Sequence, residues 1–349
     1  MNTTPILAAA VAAFLISCSA VFPLRRLALR WDLTDRPGAN KAHARPTPYL
    51  GGVAIAVGAL APAAALAAVD GVMDYRVTAI MLGAAAVALV GLIDDIRPLR
   101  PVTRLIVESA AATGVVLSGV HVTLFGGWVD VMVTVMWIVV MTNSFNLLDN
   151  MDGALGAVTT CTAGCLAAVA FARGHMPLGL LLTALACAGL GFLPHNWAPA
   201  RIFMGDSGSL FIGFGLTCSA VMLVMGQGAG VVISGLLLPT FVATVDTGVV
   251  FLSRLRAGRS PLSGGTDHVS HRLCRRGVRP RGAATVLGLA AAFSGALCLA
   301  MTLGMLPSLV TALLASGSAV ALVGMLQGVS IYLPVEHFRH SPRIRERRR

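Results

Sequence analysis

Long apolar runs, broken by short clusters of charge and proline, dominate the chain. Residues 282–335 contain no Asp, Glu, Lys or Arg over 54 positions, and residues 207–245 contain none over 39. Each stretch is long enough for two helices of about 20 residues, the length that crosses a hydrocarbon layer. Dividing the sequence in this way predicts eleven transmembrane helices. Their centres fall near Ala13, Leu60, Ala85, Ala111, Val139, Ala163, Leu185, Leu216, Leu238, Ala292 and Gly317. The expected fold is an all-α integral membrane protein, a single polytopic domain over 1–349 with a basic tail at 333–349. The connections at 70–76, 120–130, 173–177, 226–230 and 304–308 are short, so one side of the membrane has no room for a separate domain.

Composition agrees with this reading: 56% of the residues are hydrophobic and 12% charged, which a soluble globule of 349 residues could not bury. The formal charge of +11 invites a nucleic-acid reading until its placement is considered. Segments 24–49, 95–104, 194–206, 253–282 and 333–349 share one side of the membrane and hold 24 of the 26 basic residues. Only Arg76 and Arg173 fall on the other side. The positive-inside rule makes the arginine-rich side cytoplasmic, with the N-terminus outside and the C-terminus inside. An odd number of spans requires the same. The first apolar run is followed, not preceded, by Arg25-Arg26, so it reads as a first helix and not as a cleavable leader. The tail at 343–349 has no interleaved aromatics, which favours topology and anionic lipid over nucleic acid. Of the seven cysteines, Cys161, Cys165, Cys187, Cys218 and Cys298 lie in apolar runs without CxxC spacing and read as small core residues.

The polar exceptions carry the chemistry. Asn143, Asn146, Asp149 and Asp152 recur at an interval of three at the end of an apolar run, stacking on one face if the turn is tight. Four such groups at the edge of a lipid-spanning segment need water, a metal or a polar ligand. Asp94 and Asp95 end the third run, and adjacent carboxylates attract a cation. Asp206 stands between Gly205 and Ser207-Gly208-Ser209, at the start of the eighth helix; a solvated loop carboxylate is an equal reading of that residue. Asp246 is equally a site residue or the partner of Arg254 or Arg256. His268, His271 and Arg272, in a loop with seven further arginines, offer donors to phosphate oxygens or to lipid headgroups. Lys41, His43 and Arg45 sit in a proline-stiffened first loop that ends at Gly51-Gly52. Carboxylates for a divalent ion and cations for phosphate, gathered on one face, are what phosphoryl transfer requires. An ion-coupled transporter would place such charges near mid-membrane instead.

The ordered stretches DRPGANKAHARPTPYLGG, GLIDD, NSFNLLDNMDG, FMGDSGS and HVSHRL, each at the cytoplasmic end of a predicted helix, are similar to those of a known family. Over nearly its full length the chain resembles the polyprenyl-phosphate N-acetylhexosamine-1-phosphate transferases, relatives of the phospho-MurNAc-pentapeptide translocases. The resemblance implies transfer of HexNAc-1-phosphate, with GlcNAc as the expected sugar, from UDP-HexNAc to undecaprenyl or decaprenyl phosphate. The setting implied is a bacterial plasma membrane, with the active site on its cytoplasmic face. It implies Mg²⁺, with Mn²⁺ as a substitute, on Asp206 and Asp95, and catalytic roles for Asp94, Asp95, Asp149, Asp152, His268 and His271. Substrate binding would fall to Lys41, His43, Arg45, Asn143, Asn146, Arg272 and Phe203, the last stacking on uracil. Membrane lipids are expected partners, nucleic acid is not, and a homodimer is an open assembly. Four positions depart from the usual pattern: Asn150 stands for a glycine, Ser270 for a histidine, and Tyr49 and Asn40 for arginines. A catalytically altered or structural member is the alternative those departures leave.

Overall fold

The computed structural model of the chain describes residues 4–35, 46–70, 74–260 and 264–329, with 66–70 as backbone only. Lys41, His43, Arg45 and Asn40 lie outside the described residues, as does the basic tail at 333–349. The described part is almost wholly helical. The helices are α1 (Thr4–Arg30), α2 (Gly51–Asp70), α3 (Tyr75–Ile96), α4 (Pro101–Leu117), α5 (Trp128–Leu148), α6 (Ala154–Ala172) and α7 (Met176–Asn196). They continue as α8 (Gly205–Val224), α9 (Ala229–Leu237), α10 (Phe241–Arg256), α11 (Val269–Arg275), α12 (Pro280–Thr302) and α13 (Ser308–Leu326). The one ladder among the described residues pairs β1 (Thr34–Asp35) with β2 (Thr47–Pro48), antiparallel, Thr34 opposite Pro48.

Helix starts follow local chemistry. Asp74 accepts a hydrogen bond from the Arg76 backbone N–H and caps α3. Pro101 and Pro280 open α4 and α12, where a missing N–H costs nothing.

Among the described residues, eight helices are each long and apolar enough to cross a membrane: α1, α3, α5, α6, α7, α8, α12 and α13. The protein is therefore a multi-pass membrane protein. Ten of the eleven expected centres fall inside α1 to α8, α12 and α13. The exception is Leu238, expected at the middle of one straight helix. There the chain bends by 73° between α9 and α10, because Pro239 cannot donate to the helical ladder. The short helix α11 arises in what the apolar pattern leaves as loop.

The bundle is built around α8. All 18 residues from Ser207 to Val224 are buried, as expected of a helix apolar on every side. α2, α3, α5, α6 and α9 pack against it. Two glycines let its first turn come that close. A Cβ on Gly91 of α3 would lie 2.5 Å from the Asp206 carbonyl oxygen, and one on Gly52 of α2 would lie 2.1 Å from the Gly208 nitrogen. The strand before α2 is tied to the chain before α8: Phe203 N–H donates to Pro48 O at 2.8 Å, and Gly51 and Gly52 N–H donate to Phe203 and Met204 O at 3.0 and 2.8 Å. Asp206, Asp95, the start of α2 and the ends of β1 and β2 thereby meet at one end of the bundle.

Candidate active site

The acidic pair at the end of α3 divides its work, because successive helical side chains point about 100° apart. Asp95 faces α8. Its Oδ1 accepts from the Asp206 N–H at 2.8 Å and its Oδ2 from the Ser207 N–H at 3.1 Å. These are two of the unpaired donors that any helix presents at its start. Gly205 enters the turn at φ +72°, and a Cβ there would lie 2.6 Å from Asp95 Oδ2. Glycine is needed both for the left-handed backbone and for the carboxylate's approach.

Asp94 turns instead to Arg104 and the Asp206 side chain. Oδ1 accepts from the Leu99 N–H at 2.5 Å and Oδ2 from Arg104 Nη1 at 2.8 Å. The same Nη1 reaches Asp206 Oδ2 at 2.5 Å, so one guanidinium bridges carboxylates from α3 and α8. Asn146 of α5 completes the group: its Nδ2 donates to Asp206 Oδ1 and to Ser209 Oγ, both at 2.8 Å, while its Oδ1 accepts from Arg104 Nη2 at 3.4 Å.

The three-residue row does not stack as one tight-turn face, because α5 ends at Leu148. Asn143 and Asn146 remain on the helix, Asp149 becomes its C-cap, and Asp152 lies in the turn beyond. Asn143 Nδ2 donates to Glu108 Oε2 of α4 and to Val139 O. Asp152 accepts from the Ala200 N–H at 2.8 Å. Asn196 clamps the same turn, its Oδ1 accepting from the Gly153 N–H at 2.9 Å and its Nδ2 donating to Ile202 O at 3.1 Å. Burial, and then the charges of Asp206, Asp95 and Asp152, push the Asp149 carboxyl up to about 7. Asp149 therefore shares an electrostatic environment with the cluster at the start of α8.

The α11 corner redistributes its expected pairings. Asp246 is wholly buried and its partners are not arginines: Oδ2 meets His268 Nδ1 at 2.8 Å, and Oδ1 accepts from the Val269 N–H at 2.7 Å. Arg254 instead forks onto Asp267, Nε to Oδ2 at 2.8 Å and Nη2 to Oδ1 at 3.0 Å. Arg272, expected to grip phosphate, is buried and acts within the fold. Its Nη1 donates to Leu326 O and Val329 O, its Nη2 to Ser253 Oγ, and its Nε to Asp267 O. These bonds fasten α11 to α10 and to the end of α13. His271 is less buried, its ring 5.8 Å from that of His268. Desolvation and the neighbouring His268 lower its pKa to about 4, so it is neutral at pH 7. Ser270 Oγ donates to Asn150 Oδ1. The two departures closest to the expected chemistry, Asn150 and Ser270, therefore touch each other and join the α5–α6 turn to α11. Phe203 is half-buried with the Tyr49 ring 6.3 Å away, tilted by 51°.

Three participants lie outside the sequence-derived set: Arg104, Glu108 and Asn196. Arg104 reads along the sequence as one more cytoplasmic charge. Its spacing of one helical turn from Glu108 was the available signal that α4 turns a polar face inward. Among the described residues, no three Asp, Glu, His or Cys side chains converge as a ready metal cage. Mg²⁺ does not require one. It takes one or two carboxylates and completes its shell with water and phosphate, and the hard oxygens of Asp206, Asp95 and Ser209 suit it.

Two tests follow from this geometry. Asp149 has a raised pKa, so its ionised form penalises the fold at pH 8, and that penalty is relieved as pH falls from about 7 towards its unfolded value near 4. His271 has a lowered pKa, so the fold loses stability as pH falls from the unfolded value near 6.5 towards about 4. In detergent melts, Asp149→Asn should exceed the parent in Tm most at pH 8, and His271→Gln most at pH 5; parallel profiles for both would contradict the assignment. The second test concerns the buried Ser270. Ser270→His alone should lower Tm and turnover, since Asn150 fills the neighbouring space, and adding Asn150→Gly should restore both. Additive losses would show that the two sites are independent.

The glycosyl transferase family 4 model matches residues 77–224, from the first turns of α3 to the end of α8. A decaprenyl-phosphate N-acetylglucosaminephosphotransferase of Mycolicibacterium smegmatis is 32% identical over 304 residues, 76% of this chain and 74% of the relative. The undecaprenyl-phosphate alpha-N-acetylglucosaminyl 1-phosphate transferase of Escherichia coli is 26% identical over 84% of this chain and 83% of its own. A Streptomyces coelicolor protein classed as a glycosyltransferase is 37% identical over 93% of this chain and 77% of its own. The matched span contains Asp94, Asp95, Arg104, Asn146 and Asp206, the residues that the structure gathers at the start of α8. The chain belongs to glycosyl transferase family 4, alongside the polyprenyl-phosphate N-acetylglucosamine-1-phosphate transferases.

Proposed function

We propose that the protein transfers N-acetylglucosamine 1-phosphate from UDP-N-acetylglucosamine to a membrane polyprenyl phosphate, undecaprenyl or decaprenyl. The products are polyprenyl-diphosphate-N-acetylglucosamine and UMP, and the step opens a cell-envelope glycan pathway. The observation that carries this reading is the junction of Asp94, Arg104, Asn146 and Asp206 at the start of α8, inside the family-matched span. The names and coverage of the relatives support a polyprenyl phosphate acceptor and N-acetylglucosamine 1-phosphate as the group transferred. In this reading eleven spans cross a bacterial plasma membrane, with α2, α4 and the bent α9–α10 pair each counted once. The N-terminus is outside, and the site opens to the cytoplasm, the side that holds most of the arginines.

Mg²⁺ would sit on Asp206, with Asp95 keeping a second lone pair on each oxygen beyond its backbone bonds. Once bound, the ion neutralises the donor's diphosphate and steadies the charge that develops on phosphoryl transfer. The chain supplies the rest. The acceptor is a phosphate monoester with a second pKa near 6, largely dianionic at pH 7, so it attacks the β-phosphorus without a general base. Asp94 and Arg104 orient that attack, and Arg104 also cancels the mutual repulsion of Asp94 and Asp206 while the site waits. Asn146, Asp149 and Asp152 line the nucleotide side, and Phe203 offers a face to uracil. Neutral His271, steadied beside the His268–Asp246 pair, is a hydrogen-bonding group for the diphosphate or the sugar. One phosphoanhydride replaces another, so the reaction runs in both directions.

Purified protein given polyprenyl phosphate, Mg²⁺ and a panel of UDP-sugars should release UMP with UDP-N-acetylglucosamine and yield a lipid product of matching mass. Asp206→Asn and Arg104→Gln should each lower kcat by about 10²–10³-fold or more. Full activity of either variant would remove it from the mechanism. Exchange of labelled UMP into the UDP-sugar without lipid would replace direct attack with a covalent phospho-enzyme.

A further inference from the structure

At the end of the bundle opposite the carboxylates lies a cavity of about 520 Å³. Its polar walls are Arg76 of α3, Arg173 at the end of α6, His175 before α7, Gln227 after α8 and Thr302 of α12. Met222 and its neighbours at the end of α8 form an apolar wall. Arg76 and the acidic pair lie near opposite ends of α3, a helix of 22 residues, which at 1.5 Å per residue separates them by roughly 30 Å. The cavity is therefore distinct from the site described above. Its two arginines are also the two basic residues that the charge pattern leaves on the far side of the membrane.

Among the described residues, no acidic side chain lines this cavity. The carboxylates described nearby are already committed to backbone. Asp74 accepts from the Arg76 N–H, and Asp130 accepts from the N–H groups of Leu124, Phe125 and Gly126. Arg173 Nη1 donates to Leu223 O at 2.5 Å, a single neutral acceptor for a guanidinium with five N–H groups. Arg76 Nε is buried and, among the described residues, has no hydrogen-bond partner. A buried donor left unpaired on a cation that lines a polar cavity invites an acceptor from outside the described chain. Two guanidiniums sharing a cavity also repel each other unless an anion stands between them. Guanidinium pairs with a few neutral donors and an apolar wall suit a phosphate group better than a carboxylate-bearing peptide, for which the cavity offers no extended backbone edge.

We propose that this cavity is a second anion site, one that takes a phosphate group at the membrane face opposite the catalytic cluster. The phosphate is carried by a lipid headgroup or is free in solution, and the chemistry that recognises it is the same. The assignment does not depend on the transferase reading, because a binding measurement without sugar nucleotide reads it out.

The test uses the full chain in lipid nanodiscs, with Tm measured for the parent and for Arg76→Gln. Three arms are compared: neutral phosphatidylcholine alone, phosphatidylcholine with millimolar inorganic phosphate, and discs containing phosphatidylglycerol. The parent should gain a few degrees in an anionic arm relative to neutral discs, and Arg76→Gln should lose that gain, with apparent affinity about fivefold weaker. A gain confined to phosphatidylglycerol identifies a lipid headgroup, and a gain with inorganic phosphate identifies a free anion. No gain in either arm, or equal gains for parent and variant, overturns the proposal. Should Arg76→Gln fail to fold, Gln227→Glu decides the same question from an exposed position. It places a carboxylate at the arginines, so it should melt higher in neutral discs and respond to neither anion. A response equal to the parent's would refute the site.

Discussion

The carboxylate of Asp95 on the buried start of α8 is the constraint from which the active end of the molecule is built. A helix sealed inside a bundle cannot hand its first N–H groups to water, and leaving a buried donor unpaired costs about 1–3 kcal/mol. Asp95 takes two of them, and its negative charge complements the positive end of the helix. Because the cap comes from α3, it also sets the distance between α3 and α8. Gly91, Gly52 and Gly205 are the positions where the backbone had to be bare for that distance to be reached. Asp206, the first residue capped, is thereby held at a defined place relative to Asp94.

Capping a helix with a carboxylate while presenting another on its first turn concentrates negative charge, and the structure answers with one cation. Arg104 bridges Asp94 and Asp206, and Asn146 fills the remaining acceptors. In the proposed reaction a carboxylate pair held by a single guanidinium would exchange partners: a metal would bring the charge that the acids want, and a diphosphate the oxyanions that the arginine wants. Further out, the Asn196 clamp and the contact between Ser270 and Asn150 hang the α5–α6 turn and α11 on the same frame. Buried Asp246 and Arg272 hold the loop that carries His271, which leaves His271 as its more accessible histidine.

Much of this was legible in the sequence, because lipid imposes a coarse code. Uncharged runs marked the helices, and the acidic residues that interrupt them marked the candidate site. What stayed hidden depends on rotation and depth. Asp94 and Asp95 are neighbours along the chain, yet the helical twist sends one to Arg104 and the other to backbone. Arg104 looked like a topological charge because its one-turn spacing from Glu108 marks a polar face on α4 without showing that this face meets α3, α5 and α8. Arg272 looked like a phosphate ligand because a cluster of arginines in a loop does not reveal which of them is swallowed by the fold. The bend at Pro239 was not readable, since Pro23 and Pro62 sit inside α1 and α2 without breaking them. Nor was the contact between Ser270 and Asn150, as 120 residues separate the partners.

Whether Asp95 holds the start of α8 is tested most directly by amide hydrogen exchange on the detergent-purified protein, comparing the parent with Asp95→Ala. The N–H groups of Asp206 and Ser207 should be slow in the parent and become fast in the variant, while amides from the middle of α8 keep their protection. Unchanged exchange at those two positions would contradict the capping role of Asp95.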